Sequence, residues 1–335
     1  MTQEPAGLRM SKMITSLWIP QAIHAAAELD LAGPLARGAL TAGALAARLK
    51  TDPDATERLC RALAFLDVLE AHGETFALTE LGRSLIGDTA GSRRAWARLM
   101  CGTEVWSQWG RLTECVRTGS PAFTDRPFEA MERDPDAAAI FHQAMVEMTS
   151  DVAPAMCDAL ELGAVQRIVD MGGGWGALLC AALDRAPGAR GSVFDLGNAR
   201  PGALALFDRR GLAARAEFVA GDIFTTAPPR ADVYLLKSVI HDWDDERSRA
   251  ILRSCRDAMT PAARLCVIEP PAKAVHEPDV RGYFSAFSDL NMLVVAGGRE
   301  RTEAQYRALI ESAGLRMRAL REARGFFQIF EAVRD

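Results

Sequence analysis

One histidine and two glutamates have the types and spacing to move a proton. His241 lies in Leu235-Leu236-Lys237-Ser238-Val239-Ile240-His241-Asp242-Trp243, at the end of an apolar run that reads as a strand. An unperturbed histidine, with pKa ~6.5, can act as a base near neutrality. Glu269, in Glu269-Pro270-Pro271, ends another apolar run, and Glu300 sits in Gly297-Gly298-Arg299-Glu300-Arg301-Thr302. A buried carboxylate beside a histidine orients the imidazole and stabilises the cation it becomes. Asp242, Asp244 and Asp245 could hold a metal. They read more simply as the first turn of the next helix, where the helix dipole favours them, so no metal is expected. His24, His72, His142 and His276 fall in helices or turns without such a setting and are read as structural.

A second constellation reads as a nucleotide site. Ile168-Val169-Asp170-Met171-Gly172-Gly173-Gly174-Trp175-Gly176 is an apolar strand, an acidic residue near its end and a glycine turn, with a helix starting at Ala177. Glycines let backbone N–H groups approach a ligand closely. Gly172-x-Gly174-x-x-Ala177 fits the dinucleotide fingerprint, a weak signal alone. Asp195 follows about 20 residues on, where a carboxylate accepts from ribose hydroxyls. Nicotinamide cofactors and S-adenosylmethionine (SAM) both need that contact. Asp170 favours SAM, because a carboxylate there can face an ammonium and would repel a pyrophosphate. Gly221-Asp222-Ile223-Phe224 adds a carboxylate and apolar walls for an adenine, although Asp222 also reads as ordinary turn chemistry.

These residues need a sheet to position them. Candidate strands are Arg167–Met171, Arg190–Asp195, Ala216–Ala220, Ala231–Lys237, Arg264–Glu269 and Phe326–Ala332, with helical segments between most of them. That alternation predicts a doubly wound, parallel, Rossmann-like α/β sheet with ligands at the carboxyl ends of its strands. The last strand follows a helix at Thr302–Ala313, capped by Thr302, and could pair antiparallel at or near the edge. Upstream, Thr41 reads as the N-cap of a helix at Ala42–Leu49. A stripe of Leu59, Leu63, Leu66 and Leu69 predicts a helix over Ala55–Ala71, and Thr75–Thr79 alternates like a strand. This order is winged-helix-like. Between Thr41 and Ile86, five basic residues face seven acidic ones, which disfavours DNA binding. The intervening segment is helical and aromatic. Trp106, Trp109, Phe141, Met145 and Met148 read as core or as an adaptable wall for a flat ligand. Three regions are expected: residues 1–95, winged-helix-like; 96–160, a helical linker and substrate cap; and 161–335, the catalytic domain.

Composition narrows the class. The 335-residue chain carries net charge −5, with 49% hydrophobic and 25% charged residues. Nucleic-acid or anionic-membrane binding is not indicated. Seven cysteines without C-x-x-C spacing suggest reduced thiols in a cytoplasmic protein. The N-terminus shows no signal-peptide pattern, and no run approaches a membrane span.

Taken in order, Asp170-x-Gly-Gly-Gly-x-Gly, Phe194-Asp195-Leu196, Gly221-Asp222-Ile223-Phe224, Leu236-Lys237-x-x-x-His241-Asp242-Trp243, Glu269-Pro270 and Gly297–Thr302 resemble the motifs of SAM-dependent O-methyltransferases of the caffeate/acetylserotonin type. The resemblance spans nearly the whole chain. It implies a homodimer built by the N-terminal domain and transfer of the SAM methyl to a small aromatic hydroxyl, as in bacterial natural-product members. His241 matches the catalytic base, and Glu269 and Glu300 its flanking carboxylates. Asp170, Gly172, Gly174, Asp195, Leu196, Asp222, Ile223, Phe224, Lys237 and Trp243 fall at cofactor positions. The Asp289–Leu293 segment matches a substrate-lining helix, and Phe287, Asn291 and Met292 join Trp106, Trp109, Phe141, Met145 and Met148 as acceptor-wall candidates. The Asp289–Gly298 stretch is one residue shorter than the plant pattern, so plant substrate preferences do not carry over. A phenol with pKa ~10 facing a histidine at ~6.5 makes bare proton transfer uphill by about 5 kcal/mol. Three alternatives remain at this stage: a nicotinamide-dependent oxidoreductase, a SAM-binding member with non-methylating chemistry, and a DNA-binding regulator.

Overall fold

The computed structural model describes residues 4–123, 127–272, 279–323 and 326–334. Met1–Gln3 and His276 lie outside them. The chain forms two compact units, Met1–Trp106 and Ser107–Asp335.

In the first unit, β1 (Leu40–Thr41), β2 (Leu69–His72) and β3 (Thr75–Leu78) form an antiparallel sheet in the order β1-β3-β2. The winged-helix-like expectation holds, with one correction. The helix expected over Ala55–Ala71 runs from Pro53 to Phe65. Asp52 caps its start through Ala55 N, and Pro53 occupies the first turn, so Asp52-Pro53 forms a helix entry. The helix stops because the chain turns left-handed at Asp67, φ 57°, and then enters β2. Leu66 and Leu69, read as helical stripe, lie beyond its end. The unit closes on Leu31, Leu45, Cys60, Leu63, Leu69 and Phe76.

The second unit is built on seven strands: β4 (Arg167–Met171), β5 (Arg190–Asp195), β6 (Ala216–Ala220), β7 (Val233–Lys237), β8 (Arg264–Glu269), β9 (Leu315–Glu322) and β10 (Gln328–Arg334). Their order is β6-β5-β4-β7-β8-β10-β9. The first five are mutually parallel, and β10 runs antiparallel between β8 and β9. Both faces are covered. Ile168, Val193 and Leu235 pack with the helices Ala177–Arg185 and Arg200–Arg209. Val169, Leu236 and Val267 pack with Asp245–Ala258 and Glu303–Ser312. Two-sided burial is why these strands read as continuous apolar runs.

β4, β5, β6 and β8 match their expected ranges. β7 starts at Val233, because Asp232 turns its carboxylate to cap the backbone of Gln166 and Arg167. The terminal strand begins at Gln328 and is covered by β9, a strand the sequence reading missed. Leu315, Met317 and Ala319 do alternate with charged residues there, but Met, Ala and Arg are weak strand formers and the strand lies at an edge.

Candidate active site

The sheet order puts the carboxyl ends of β4, β5, β7 and β8 side by side, and a cavity of about 380 Å³ opens above the first three. Its floor is the glycine turn after β4. Gly172 and Gly174 have φ of 64° and 56°, the left-handed region that favours glycine. A Cβ on Gly172 would also lie 2.9 Å from a Val239 methyl. Asp195, at the end of β5, fixes the turn: its Oδ2 accepts from Gly174 N at 2.6 Å and its Oδ1 from Leu196 N at 2.6 Å.

Asp170 faces the same cavity from β4. It is buried, and its Oδ2 accepts one hydrogen bond, from Leu179 N at 3.2 Å. Burial pushes its pKa up to about 7. Lys237, across the cavity floor, is pushed down by burial, against the opposing pull of Glu269 and Asp170. Asp222 lines the cavity while accepting from Phe224 N at 2.8 Å, so the turn reading and the lining reading both hold. Ile223, Phe224 and Trp243 form an apolar wall, with Trp243 edge-on to Phe224 at 4.8 Å.

His241 sits in a short 3₁₀ turn, Ile240–Asp242, just beyond β7. Its neighbour Asp242 lines the cavity. Its Nδ1 is 3.1 Å from Glu300 Oε1 and 3.7 Å from Glu269 Oε2. With Nδ1–H donating to Glu300, Nε2 is left as the basic atom. Glu269, fully buried at the end of β8, accepts through Oε1 from Val239 N at 3.1 Å and Ile240 N at 2.9 Å. Glu300 is itself held by Ser288 Oγ at 2.6 Å, and its backbone N–H donates to Asp289 Oδ1 at 2.8 Å. Burial alone would lower the imidazole pKa. Glu269, Asp242 and Glu300 outweigh it and lift the pKa to about 10. Burial raises Glu269 to about 7 and Asp242 to about 6, each opposed by His241.

Arg301 was quoted in the sequence motif without a role. It is 1% exposed and clamps this turn, donating to Ile240 O at 3.1 Å, Trp243 O at 2.8 Å and Asp245 Oδ1 at 2.7 Å. Of the three aspartates weighed as metal ligands, Asp244 caps the following helix through Arg247 N and Asp245 begins it. No group of side chains able to hold a metal is found among the described residues.

A profile described as an O-methyltransferase domain matches residues 109–316. Another, described as an O-methyltransferase dimerisation domain, matches residues 11–88. The chain belongs to the O-methyltransferase family. Among its relatives, 3-amino-4-hydroxybenzoate 4-O-methyltransferase of Streptomyces cremeus is 36% identical over 94% of this chain and 86% of its own length. Aclacinomycin 10-hydroxylase of Streptomyces purpurascens is 36% identical over 91% and 83%. Human N-acetylserotonin methyltransferase, solved with SAM, superimposes with TM-score 0.89 at 26% identity, covering 100% of this chain and 99% of that one. The methyl donor of this O-methyltransferase is SAM, and the cavity suits it. A glycine floor leaves the backbone open, Asp195 keeps free lone pairs beside it, and Asp170 is a buried carboxylate whose hydrogen bond comes from Leu179 N.

The expected acceptor wall divides. Phe141 and Met145 line the cavity with the glycine turn, while Met148, on the same helix, is outside its lining. Trp109 Nε1 donates to Asn291 Oδ1 at 3.0 Å. Met292 is buried, and its carbonyl accepts from Ala296, Gly297 and Gly298. Phe287 is half exposed and meets Tyr283 at a tilt, 4.6 Å between ring centres. Trp106, at the end of the first unit, is exposed. His142, read as structural, lines the cavity instead. Its place between Phe141 and Met145 on one helix was the available signal.

The second glycine of the Gly297-Gly298 pair packs against the base. A Cβ on Gly298 would lie 2.0 Å from His241 O and 2.5 Å from Asp242 C. Gly298→Ala should displace the 3₁₀ turn and lower kcat on the order of 10²-fold in steady-state assays. A calorimetric test addresses Asp170. Its pKa of about 7 leaves it mostly protonated at pH 6.5, and an ammonium beside it favours the ionised form. Binding of S-adenosylhomocysteine should therefore release a proton at pH 6.5, seen as a dependence of binding enthalpy on buffer. The release should fade by pH 8.5 and vanish in Asp170→Asn.

Proposed function

We propose that this enzyme transfers the methyl group of SAM to a hydroxyl of a small, flat aromatic metabolite, with His241 as the general base. The observation that carries the reading is the 3.1 Å bond from His241 Nδ1 to Glu300, which leaves Nε2 as the basic atom in a turn whose next residue, Asp242, lines the cavity. SAM, when bound, would supply an electrophilic methyl group on a sulfonium. Asp170, Asp195, Asp222, Ile223, Phe224, Lys237 and Trp243 would hold it, and Phe141 and Met145 lie where an apolar ring could pack.

The base differs from a free histidine. Its carboxylate neighbours raise the imidazole pKa, so proton transfer from a phenol at ~10 is less uphill than to a free histidine. The penalty moves earlier: the imidazole must first be neutral, which costs more the higher its pKa stands. Glu269 and Glu300 stabilise the imidazolium once the hydroxyl has given up its proton.

An aromatic hydroxyl is supported by the relative that acts on a hydroxybenzoate. The hydroxylase among the relatives means that family membership alone does not name the reaction. The intact histidine–glutamate set supports methyl transfer here. The dimerisation-domain match supports a homodimer, and Met10, Met13, Ile14 and Trp18 leave apolar surface on the first two helices exposed. Among the described residues no helix is long and apolar enough to cross a membrane.

A screen of phenols with labelled SAM would test the activity. His241→Ala should bind SAM normally and lose about 10²–10⁴-fold in turnover. Wild-type kcat/KM should rise with pH as the imidazolium deprotonates. Glu300→Gln removes a charge that raises the imidazole pKa, so its limb should move to lower pH. Wild-type turnover in His241→Ala, or an unmoved limb in Glu300→Gln, would remove the base assignment.

A further inference from the structure

His142 takes no part in the reading above, yet its position is unusual for a structural histidine. It is 6% exposed, and neither Nδ1 nor Nε2 makes a hydrogen bond of good geometry, the Asn198 amide lying near but outside it. Buried polar groups are normally paired, so an unpaired one points to a missing ligand. The ring lines the cavity on the helix Pro135–Ser150. Trp175 stacks on it at 6.0 Å and 26°, and Phe141 meets it edge-on at 5.4 Å, which fixes its orientation. Its Nδ1 would be 3.1 Å from a Cβ on Gly174, and Gly174 N is the group that donates to Asp195. The imidazole therefore stands beside the carboxylate that suits a ribose.

We propose that His142 is a donor-binding residue whose neutral imidazole hydrogen-bonds a ribose hydroxyl of SAM opposite Asp195. The inference rests on the reading that SAM occupies this cavity. A neutral imidazole offers one donor and one acceptor, and a hydroxyl can use either. Burial keeps the ring neutral, pushing its pKa down to about 4 against the upward pull of the Asn198 amide. Neutrality matters, because a cationic ring would repel a sulfonium donor. The lack of a well-formed hydrogen bond at either ring nitrogen also predicts that the residue is unfavourable to the empty fold.

The test is calorimetry of the full-length enzyme with S-adenosylhomocysteine and with 5′-methylthioadenosine, which keeps the ribose and lacks the amino-acid end. Wild type, His142→Leu, His142→Asn and Asp195→Asn are compared, with apo melting temperatures. His142→Leu should melt no lower than wild type and bind both ligands at least fivefold more weakly. His142→Asn, which keeps a donor, should recover part of the loss. If His142→Leu binds both ligands like wild type while Asp195→Asn binds them weakly, the inference fails and the cavity reading stands. If Asp195→Asn also binds like wild type, the cavity reading itself fails. A loss confined to S-adenosylhomocysteine overturns the ribose assignment. A lowered apo melting temperature in His142→Leu with full recovery of binding on cooling would reduce His142 to packing.

Discussion

Glu269 is the residue on which the site depends. A fully buried carboxylate is expensive unless hydrogen-bonded and paired. Glu269 meets that demand with one oxygen, which collects the backbone N–H groups of Val239 and Ile240. Its second oxygen has no hydrogen bond and lies 3.7 Å from His241 Nδ1. One side chain at the end of β8 thus shapes the loop after β7 and charges the imidazole that the loop carries. Arg301 completes the clamp from the opposite side, through the carbonyls of Ile240 and Trp243. The His241 turn is held by its N–H groups below and its C=O groups above.

Sheet order makes this arrangement direct. β4 lies between β5 and β7, so the glycine turn adjoins Asp195 on one side and the His241 loop on the other. The two loops touch, since Val239 closes the space that a Gly172 side chain would need. The glycine requirement at 172 therefore has two sources, a left-handed backbone and contact with the loop that leads to the base. A binding floor and a proton acceptor are neighbours because their strands are.

The parts legible in the sequence were those with a local signature. β4, β5 and β8 are buried on both faces, β6 alternates at the sheet edge, and Thr302 with Gln305 forms a capping box. The chemistry at His241, Glu269 and Glu300 could be picked out because each ends an apolar run or enters a helix. What stayed hidden was set by long-range contact. Arg301 looked like one charge among several until its 1% exposure and its reach to Ile240 were visible. His142 looked like any helical histidine, because its one signal, a place between Phe141 and Met145, does not say which residues of the helix meet a cavity. The helix Pro53–Phe65 was overextended because Leu66 and Leu69 keep its spacing by chance while the backbone reverses at Asp67.

The site also sorts its ionisable groups by charge. Asp170, Asp242 and Glu269 are carboxylates that burial moves toward neutrality, and Lys237 is an amine moved the same way. His142 is kept uncharged by burial, while His241, equally deep, is driven to the charged form by three carboxylates. Two histidines, one lining the cavity and one in the turn next to it, are thus pushed in opposite directions by their surroundings. Environments that separate pKa values in this way also separate roles. The uncharged ring suits a contact with a cationic ligand, and the ring that readily bears charge suits receiving a proton. The separation originates in topology: Glu269 and Glu300 converge on the loop after β7, and among the described residues no carboxylate hydrogen-bonds the ring of His142.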